Sequence, residues 1–255
     1  MTDSQQADTG VAGLRVVVAG ATSESGVAVS TALLAADAQV IAVGSEPDRL
    51  AEFARRVPGA RTELCDLSDS EAVDALALRL VVDVDGASTG KDGGTGGGID
   101  GLIHLVGGWV GGRGIPGQTD EGWERMERSF RTLRNTTGAF YPALVASPAG
   151  RTAFVSSSSV DAPTASGAHY TAAKAASESW MRSVADGFRT ENAANVGGGA
   201  AATVFVVKAL VDDRMRAANP EKTFSGFTDV ATLAVATVAL WSGTAVDLNG
   251  ARIRL

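Results

Sequence analysis

Short runs of branched apolar residues alternate with longer helix-forming stretches along almost the whole chain, and this alternation constrains the fold most. Leu14-Arg-Val-Val-Val-Ala19 is such a run and stops at Gly20. Successive side chains of a strand point to opposite faces, so a run that is apolar at nearly every position suits a strand covered on both sides, as in a parallel sheet. Similar runs are Gln39–Val43, Gly101–Val106, Arg151–Ser156 and Ala202–Val207, while Arg61–Leu64 reads as a weaker strand and Arg252–Leu255 as a terminal one. Between them, Val27–Ala36, Asp48–Arg56, a stretch from a Ser68 or Asp69 cap to about Leu80, Gly122–Ala146, Ala168–Phe188 and Thr228–Leu240 read as helices. Strands alternating with helices through short connections predict one doubly wound, Rossmann-like parallel sheet of about seven strands with helices on both faces.

The 255 residues suffice to bury a large core, and no shift in composition marks a second domain. The expected organisation is a tail over residues 1–13, a single dinucleotide-binding and catalytic domain over 14–255, and a glycine-rich surface loop over 83–100. Glu191 to Ala201 reads as a second flexible connector. One cysteine, Cys65, excludes an internal disulfide and a multi-cysteine zinc site, and with two histidines no metal centre is expected. A net charge of −7 argues against a nucleic-acid partner. The polar N-terminus lacks the pattern of a secretory signal, and no apolar stretch reaches the ~18 residues of a membrane span. A cytoplasmic protein away from membranes is the expectation.

Gly20-Ala-Thr-Ser-Glu-Ser-Gly26 lies between the first strand and first helix, where a doubly wound sheet binds dinucleotide phosphates. Glycine permits the tight turn, and the helix N-terminus stabilises the phosphate charge. Glu24 stands where a glycine is usual, and its carboxylate is expected to repel a pyrophosphate. Asp66, just after the third strand, suits either an adenine amino group or a turn. After the second strand, Gly44-Ser45-Glu46 offers no arginine for a 2′-phosphate, so Glu46 leans the cofactor toward NAD.

Tyr170 and Lys174 are four residues apart and share a helix face. A phenol titrates near ~10 and is a poor acid–base catalyst at neutral pH; a neighbouring ammonium brings it toward working range. Ser157, thirteen residues before the tyrosine, closes the fifth strand at the sheet edge where ligands bind, so its hydroxyl can hold a substrate oxygen. Trp109 is a candidate pocket wall. Arg113 reads as a solvated loop arginine, the alternative being a contact to an acidic substrate, and His169 as exposed helix surface or an interface residue. His104 reads either as a hydrogen-bond donor to the site or as a histidine satisfied by neighbouring backbone.

With Tyr170-Thr-Ala-Ala-Lys174, Ser157 at its spacing, Asn135 in Asn135-Thr-Thr-Gly138, and an ungapped match over Gly20–Gly44, the chain resembles the short-chain dehydrogenase/reductase family from Leu14 to Leu255. The resemblance implies an NAD(P)-dependent oxidoreductase that interconverts a carbonyl and a secondary alcohol. Tyr170 would move the proton, Lys174 would tune it and hold the nicotinamide ribose, and Ser157 would orient the substrate oxygen. Asn135 would hold a relay water. The cofactor would lie against Gly20, Thr22, Ser23, Ser25 and Gly26 of the turn, then Ser45, Asp66, Leu67, Val106 and Gly107, and reach Tyr170 and Lys174. Ser157, Trp109 and Tyr170 would contact a small-molecule substrate. The resemblance also implies a homodimer or homotetramer, and it matches Leu210–Phe227, with Met215, Phe224 and Phe227, to a variable substrate loop suited to a partly apolar substrate. Three family patterns are altered: the turn carries Glu24, N-N-A-G reads His104-Leu105-Val106-Gly107, and P-G reads Ala209-Leu210. Glu24 and the lost asparagines support another reading, a nucleotide-sensing or scaffold protein on the same fold that binds cofactor weakly or not at all; a third is a non-redox lyase or epimerase using the same tyrosine.

Overall fold

The computed structural model describes residues 10–82, 98–194 and 199–255. Among them the strands are β1 (Arg15–Ala19), β2 (Gln39–Gly44), β3 (Arg61–Leu64), β4 (Gly101–His104), β5 (Arg151–Ser157), β6 (Ala201–Val207), β7 (Leu210–Val211), β8 (Thr228–Asp229) and β9 (Arg252–Arg254). The helices are α1 (Glu24–Ala35), α2 (Pro47–Arg56), α3 (Ser70–Val82), α4 (Asp120–Ala146), α5 (Ala168–Ala194), α6 (Asp213–Ala218), α7 (Val230–Val238) and α8 (Ala245–Leu248). Seven strands form one parallel sheet in the order β3-β2-β1-β4-β5-β6-β9, while β7 and β8 pair separately. The Rossmann-like α/β architecture expected from the alternation is the one observed.

The two faces of the sheet explain why its strands read as continuous apolar runs. Val17 and Ala19 of β1 face the layer of α3, α4 and α5, with Leu76, Phe140 and Phe188. Val16 and Val18 face the opposite layer of α1, α2 and α7, with Leu33, Phe53 and Leu233. Each fully buried aliphatic side chain contributes about 1.5–3 kcal/mol, so both layers are needed to hold the central strands. The caps follow the sequence. Ser23 accepts from the Gly26 amide at α1, Asp69 from Glu71 and Ala72 at α3, and Thr119 from Gly122 at α4.

Several boundaries differ from expectation. Of the expected tail, residues 10–13 are described, and Val11 is fully buried beneath the α7 layer because its side chain is apolar. Most of the expected glycine-rich loop lies outside the described residues, but its last two residues are fixed. Ile99 is buried, and Asp100 accepts from the Arg15 amide (2.9 Å) and the Ser147 hydroxyl (2.6 Å). Helix α5 continues to Ala194 instead of ending at Phe188, since no breaker interrupts it. Within its last turn, Asn192 pairs through both side-chain atoms with the backbone of Ala200 (2.9 and 3.0 Å), so this part of the expected connector is held; residues 195–198 lie outside the described residues. The short β7–β8 pair and α6 carry no strong periodicity in sequence and exist through tertiary pairing.

Phe140 of α4 is fully buried against the sheet. Phe140→Ala should lower the unfolding free energy by about 3–5 kcal/mol in chemical denaturation, read as a lower midpoint.

Candidate active site

The site forms at the C-terminal ends of β1, β4 and β5, where the order of connections reverses on either side of β1. Gly20 leaves β1 with φ +80°, and a Cβ there would lie 2.9 Å from the Val106 amide nitrogen. Glycine is required on both counts. At Gly26 a Cβ would sit 2.3 Å from the Ala21 carbonyl oxygen, which brings the first turn of α1 down onto the loop. The amides at the start of α1 thus face an open cradle that suits phosphate groups.

Two cavities open from this cradle. One, of about 650 Å³, is lined by Gly20, Thr22, Ser23, Ser45, Asp66, Leu67, Val106 and Gly107 among others. The other, of about 540 Å³, is lined by Ser23, Ser25, Val106, Gly107, Trp109, Ser157, Tyr170 and Lys174 among others. They share Ser23 and the Leu105–Gly107 segment, so the phosphate turn joins a cleft sized for a nucleoside to one holding the Tyr–Lys–Ser group. Gly26 lines neither; it acts by letting α1 approach.

Tyr170 and Ser157 line the second cavity together. Ser157 accepts from the Ser159 amide (3.1 Å). Burial raises Tyr170 above the usual phenol value, and the nearby Ser157 hydroxyl opposes this in part. Lys174 donates to the Val155 carbonyl (2.8 Å), and its ammonium lies 4.5 Å from the Phe154 ring centroid and 5.8 Å from that of Tyr170. Burial pushes Lys174 down to about 8, against an opposing influence from Glu178. The lowering of the phenol by the ammonium expected from sequence is not found: Tyr170 is raised by its own desolvation, and only the Ser157 hydroxyl opposes this.

Asn135 is not brought into this group. Its Nδ2 donates to the Leu67 carbonyl (3.1 Å) and its Oδ1 accepts from Arg134 (3.1 Å), so its side chain ties α4 to the segment after β3 and lines neither cavity. The contact from α4 to the site runs instead through His104. This fully buried ring meets the Thr132 hydroxyl at Nε2 and the Thr136 hydroxyl at Nδ1, both at 3.2 Å. Its partners are side-chain hydroxyls, neither of the arrangements expected from sequence.

Glu24 does not confront the cradle as a free charge. Both oxygens accept from Arg56 of α2 (2.9 and 2.6 Å), and one also from Arg214 of α6 (3.3 Å). The Arg56 bond holds its carboxyl below the usual carboxylate range, against a weaker opposing push from partial burial. Two cations on one anion leave this rim net positive, which cancels the expected repulsion of a pyrophosphate. The expected absence of an arginine near Ser45 and Glu46 is likewise corrected. Arg49, one helical turn on, lines the larger cavity and donates to the Thr22 carbonyl (3.4 Å) and to Glu46 itself (3.5 Å), so the Glu46 charge is met by a guanidinium and the lean toward NAD is not supported. Asp66 serves as a turn residue, accepting from the Ser68 amide and hydroxyl and from Arg128, while also lining the cavity.

On the substrate side, Trp109 is exposed at the cavity mouth, and Met215 of the expected variable loop reaches the lining; Phe224 and Phe227 pack on one another instead. The hydroxyls of Ser159, Thr164, Ser166 and Thr171 join the wall, more polar than the loop sequence suggested. Arg113 is exposed, whereas His169 is half-buried with its ring against Trp123 rather than solvated. Arg49, Arg125, Arg128 and Ser129 line the nucleoside-sized cavity and were missed in sequence, since arginines on a helix read as surface. Among the described residues no group of three metal-ligating side chains is found, and no helix is long and apolar enough to cross a membrane.

Burial pushes His104 down to about 3. Below its ordinary value near ~6.5 the unfolded chain takes up a proton that the folded chain refuses, so the stability present above that pH is lost as pH falls toward 3. Between these limits the unfolding free energy of the natural chain should fall more steeply with acid than that of His104→Asn, by about 1.4 kcal/mol per pH unit. Denaturant titrations across this range read the difference, and parallel slopes would refute it.

A search of curated proteins finds no match to this sequence. Among solved structures, a putative short chain dehydrogenase from Pseudomonas syringae is 21% identical with a TM-score of 0.78, covering 100% of this chain and 99% of its own. A short chain oxidoreductase from Pseudomonas aeruginosa PAO1, solved with NADPH and described as containing an atypical catalytic center, is 21% identical with a TM-score of 0.75 and covers 96% of each chain. A putative short chain dehydrogenase from Shigella flexneri 2a, complexed with NADP, is 19% identical with a TM-score of 0.76, covering 96% and 98%. At such identities these likenesses establish the fold. The family model for short chain dehydrogenases matches residues 15–208, from the first strand through the phosphate turn and the Tyr170–Lys174 helix to the end of β6. This chain belongs to the short-chain dehydrogenase family of oxidoreductases.

Proposed function

We propose that the protein is an NADP(H)-preferring oxidoreductase that interconverts a small carbonyl compound and its secondary alcohol. The observation that carries this reading is the junction of the two cavities at Ser23 and Val106–Gly107, which joins the phosphate cradle to the Tyr170–Ser157 hydroxyl pair. When bound, the nicotinamide supplies or accepts the hydride. The chain holds the dinucleotide and handles the proton.

Tyr170 carries its proton at neutral pH because burial keeps the phenol above its usual value, so it is set to donate to a carbonyl oxygen. Ser157, lining the same cavity, gives the substrate oxygen a second polar contact and fixes its position. The Lys174 ammonium lies in the same cavity as these hydroxyls. A positive charge there stabilises the phenolate left after proton donation, which the apolar surroundings otherwise disfavour. The side chain of Asn135, committed to Leu67 and Arg134, serves in this scheme by fixing α4. The hydroxyl-rich wall beside Trp109 and Met215 suits a substrate with both polar and apolar parts.

The preference for NADP(H) rests on Arg49. It lies beside Ser45 at the end of β2, where the adenosine ribose of a dinucleotide falls on this fold. A guanidinium there offers charge-assisted bonds to a 2′-phosphate. The NADP carried by two of the similar structures supports the same assignment.

NADPH should bind the purified protein more tightly than NADH by fluorescence titration, and Arg49→Ala should weaken NADPH about tenfold while leaving NADH nearly unchanged, as loss of one charge-assisted bond implies. Equal affinity for the two would overturn the cofactor assignment. Absence of binding by either up to millimolar would overturn the oxidoreductase reading. In a screen of carbonyl compounds followed by NADPH absorbance, Tyr170→Phe should lower kcat by about 10²–10⁴ with cofactor affinity retained.

A further inference from the structure

Tyr170, Lys174 and Glu178 recur at four-residue spacing, so they lie along one face of α5. Consecutive residues of β5 face them. Val155 accepts from Lys174 through its carbonyl (2.8 Å), the Ser156 hydroxyl donates to Glu178 (2.5 Å), and Ser157 lines the same cavity as Tyr170. Glu178 is 3% exposed. Its other partner is Arg252 of β9, whose Nε donates to Oε2 (3.0 Å) and Nη2 to Oε1 (3.3 Å). Arg252 in turn donates to Asp161, in the turn after Ser157, as does Arg254 (both 2.9 Å). An internal carboxylate is costly to hold, and an apolar residue of similar size is often the more stable choice. Its place one helical turn from the buried ammonium gives it a reason to be there.

We propose that Glu178 is a positioning residue for the reaction, the buried counter-charge that keeps the Lys174 ammonium charged beside Tyr170. The proposal rests on the oxidoreductase reading above and adds to it a residue that touches neither substrate nor cofactor. The charged and titratable groups around Lys174 are few. On α5 they are Tyr170, kept neutral by burial, and Glu178. On β4 His104 is held neutral, β5 presents only the Val155 carbonyl and two serine hydroxyls, and β9 presents Arg252, already bound to Glu178. Among the described residues, Glu178 is the carboxylate whose field opposes the burial of Lys174. Removing its charge makes the ammonium harder to keep. For carbonyl reduction, which needs the lysine charged, this moves the alkaline limit of activity to lower pH.

The chain has four lysines, so ¹³C-labelled lysine side chains can be followed individually by NMR in the intact protein. Lys174 should titrate near pH 8 in the natural chain and at least about one pH unit lower in Glu178→Gln, with Glu178→Asp close to the natural value. In kinetics, Glu178→Gln should draw the alkaline limb of kcat down by a similar amount and leave KM nearly unchanged. A folded Glu178→Gln protein whose Lys174 titration is unmoved overturns the inference, whatever its activity. Should that variant not fold, Arg252→Gln tests the same link from the other side. Removing the competing cation should raise the Lys174 titration, and an unmoved value again overturns the inference. A natural chain that binds NADPH but reduces no carbonyl would bring down the oxidoreductase reading and the reaction role with it, a result the lysine titration keeps distinct.

Discussion

The site depends on the close approach of β1 and β4 at Gly20. The chain leaves β1 with a positive φ while the backbone of Val106 lies within contact of where a side chain would begin. Because no side chain intervenes, the end of β4 closes over the phosphate turn, and the two cavities meet there instead of remaining separate clefts. The apolar layers on both faces of the sheet hold the two strands in that register. A shift of either strand would part the cradle from Tyr170.

Electrostatics on the two sides of this crossing is arranged in opposite ways. At the cradle the charges are near the surface, and Glu24 is offset by Arg56 and Arg214 drawn from α2 and α6. Such partly exposed pairs contribute little to stability. Their consequence is local, since they turn an apparent defect of the phosphate turn into a positive rim. At the Tyr170 end the charges are buried. Lys174 and Glu178 lie along one helix face between hydroxyls and carbonyls of β5, where the low dielectric makes each charge felt strongly by its neighbours. Neutral His104, clasped by Thr132 and Thr136, fills the space beneath without adding a competing cation.

Legibility in the sequence followed the range of the interaction concerned. The strands are apolar at nearly every position, so β1, β2 and β6 could be read to within a residue. Ser23 and Thr119 cap their helices through contacts three residues long. Tyr170 and Lys174 share a helix face by spacing alone, and Ser157 sits at a strand end. In contrast, Asn135 matches a family pattern, yet its side chain goes to Leu67, sixty-eight residues away in sequence. Arg49 and Arg214 read as surface arginines because only the packing of α2 and α6 brings them to the phosphate turn. Glu178 carried a usable signal, the continued four-residue spacing after Lys174, but its burial depends on Ser156 and on a strand at the far end of the chain.

What the sequence determined by itself was the layer architecture, the place of the phosphate turn, and the presence of a tyrosine, lysine and serine at one edge of the sheet. Those follow from hydrophobic period, turn chemistry and helical spacing, all local properties of a chain. Only the tertiary structure decided how charge is distributed around them: which guanidiniums reach Glu24, which hydroxyls hold His104, and which carboxylate lies beneath Lys174. The partners of Glu24 and His104 come from segments distant in sequence, and Glu178, though only four residues from Lys174, is enclosed by Ser156 and Arg252 from other strands; the energy of a charge depends on the burial and partners that folding alone brings about.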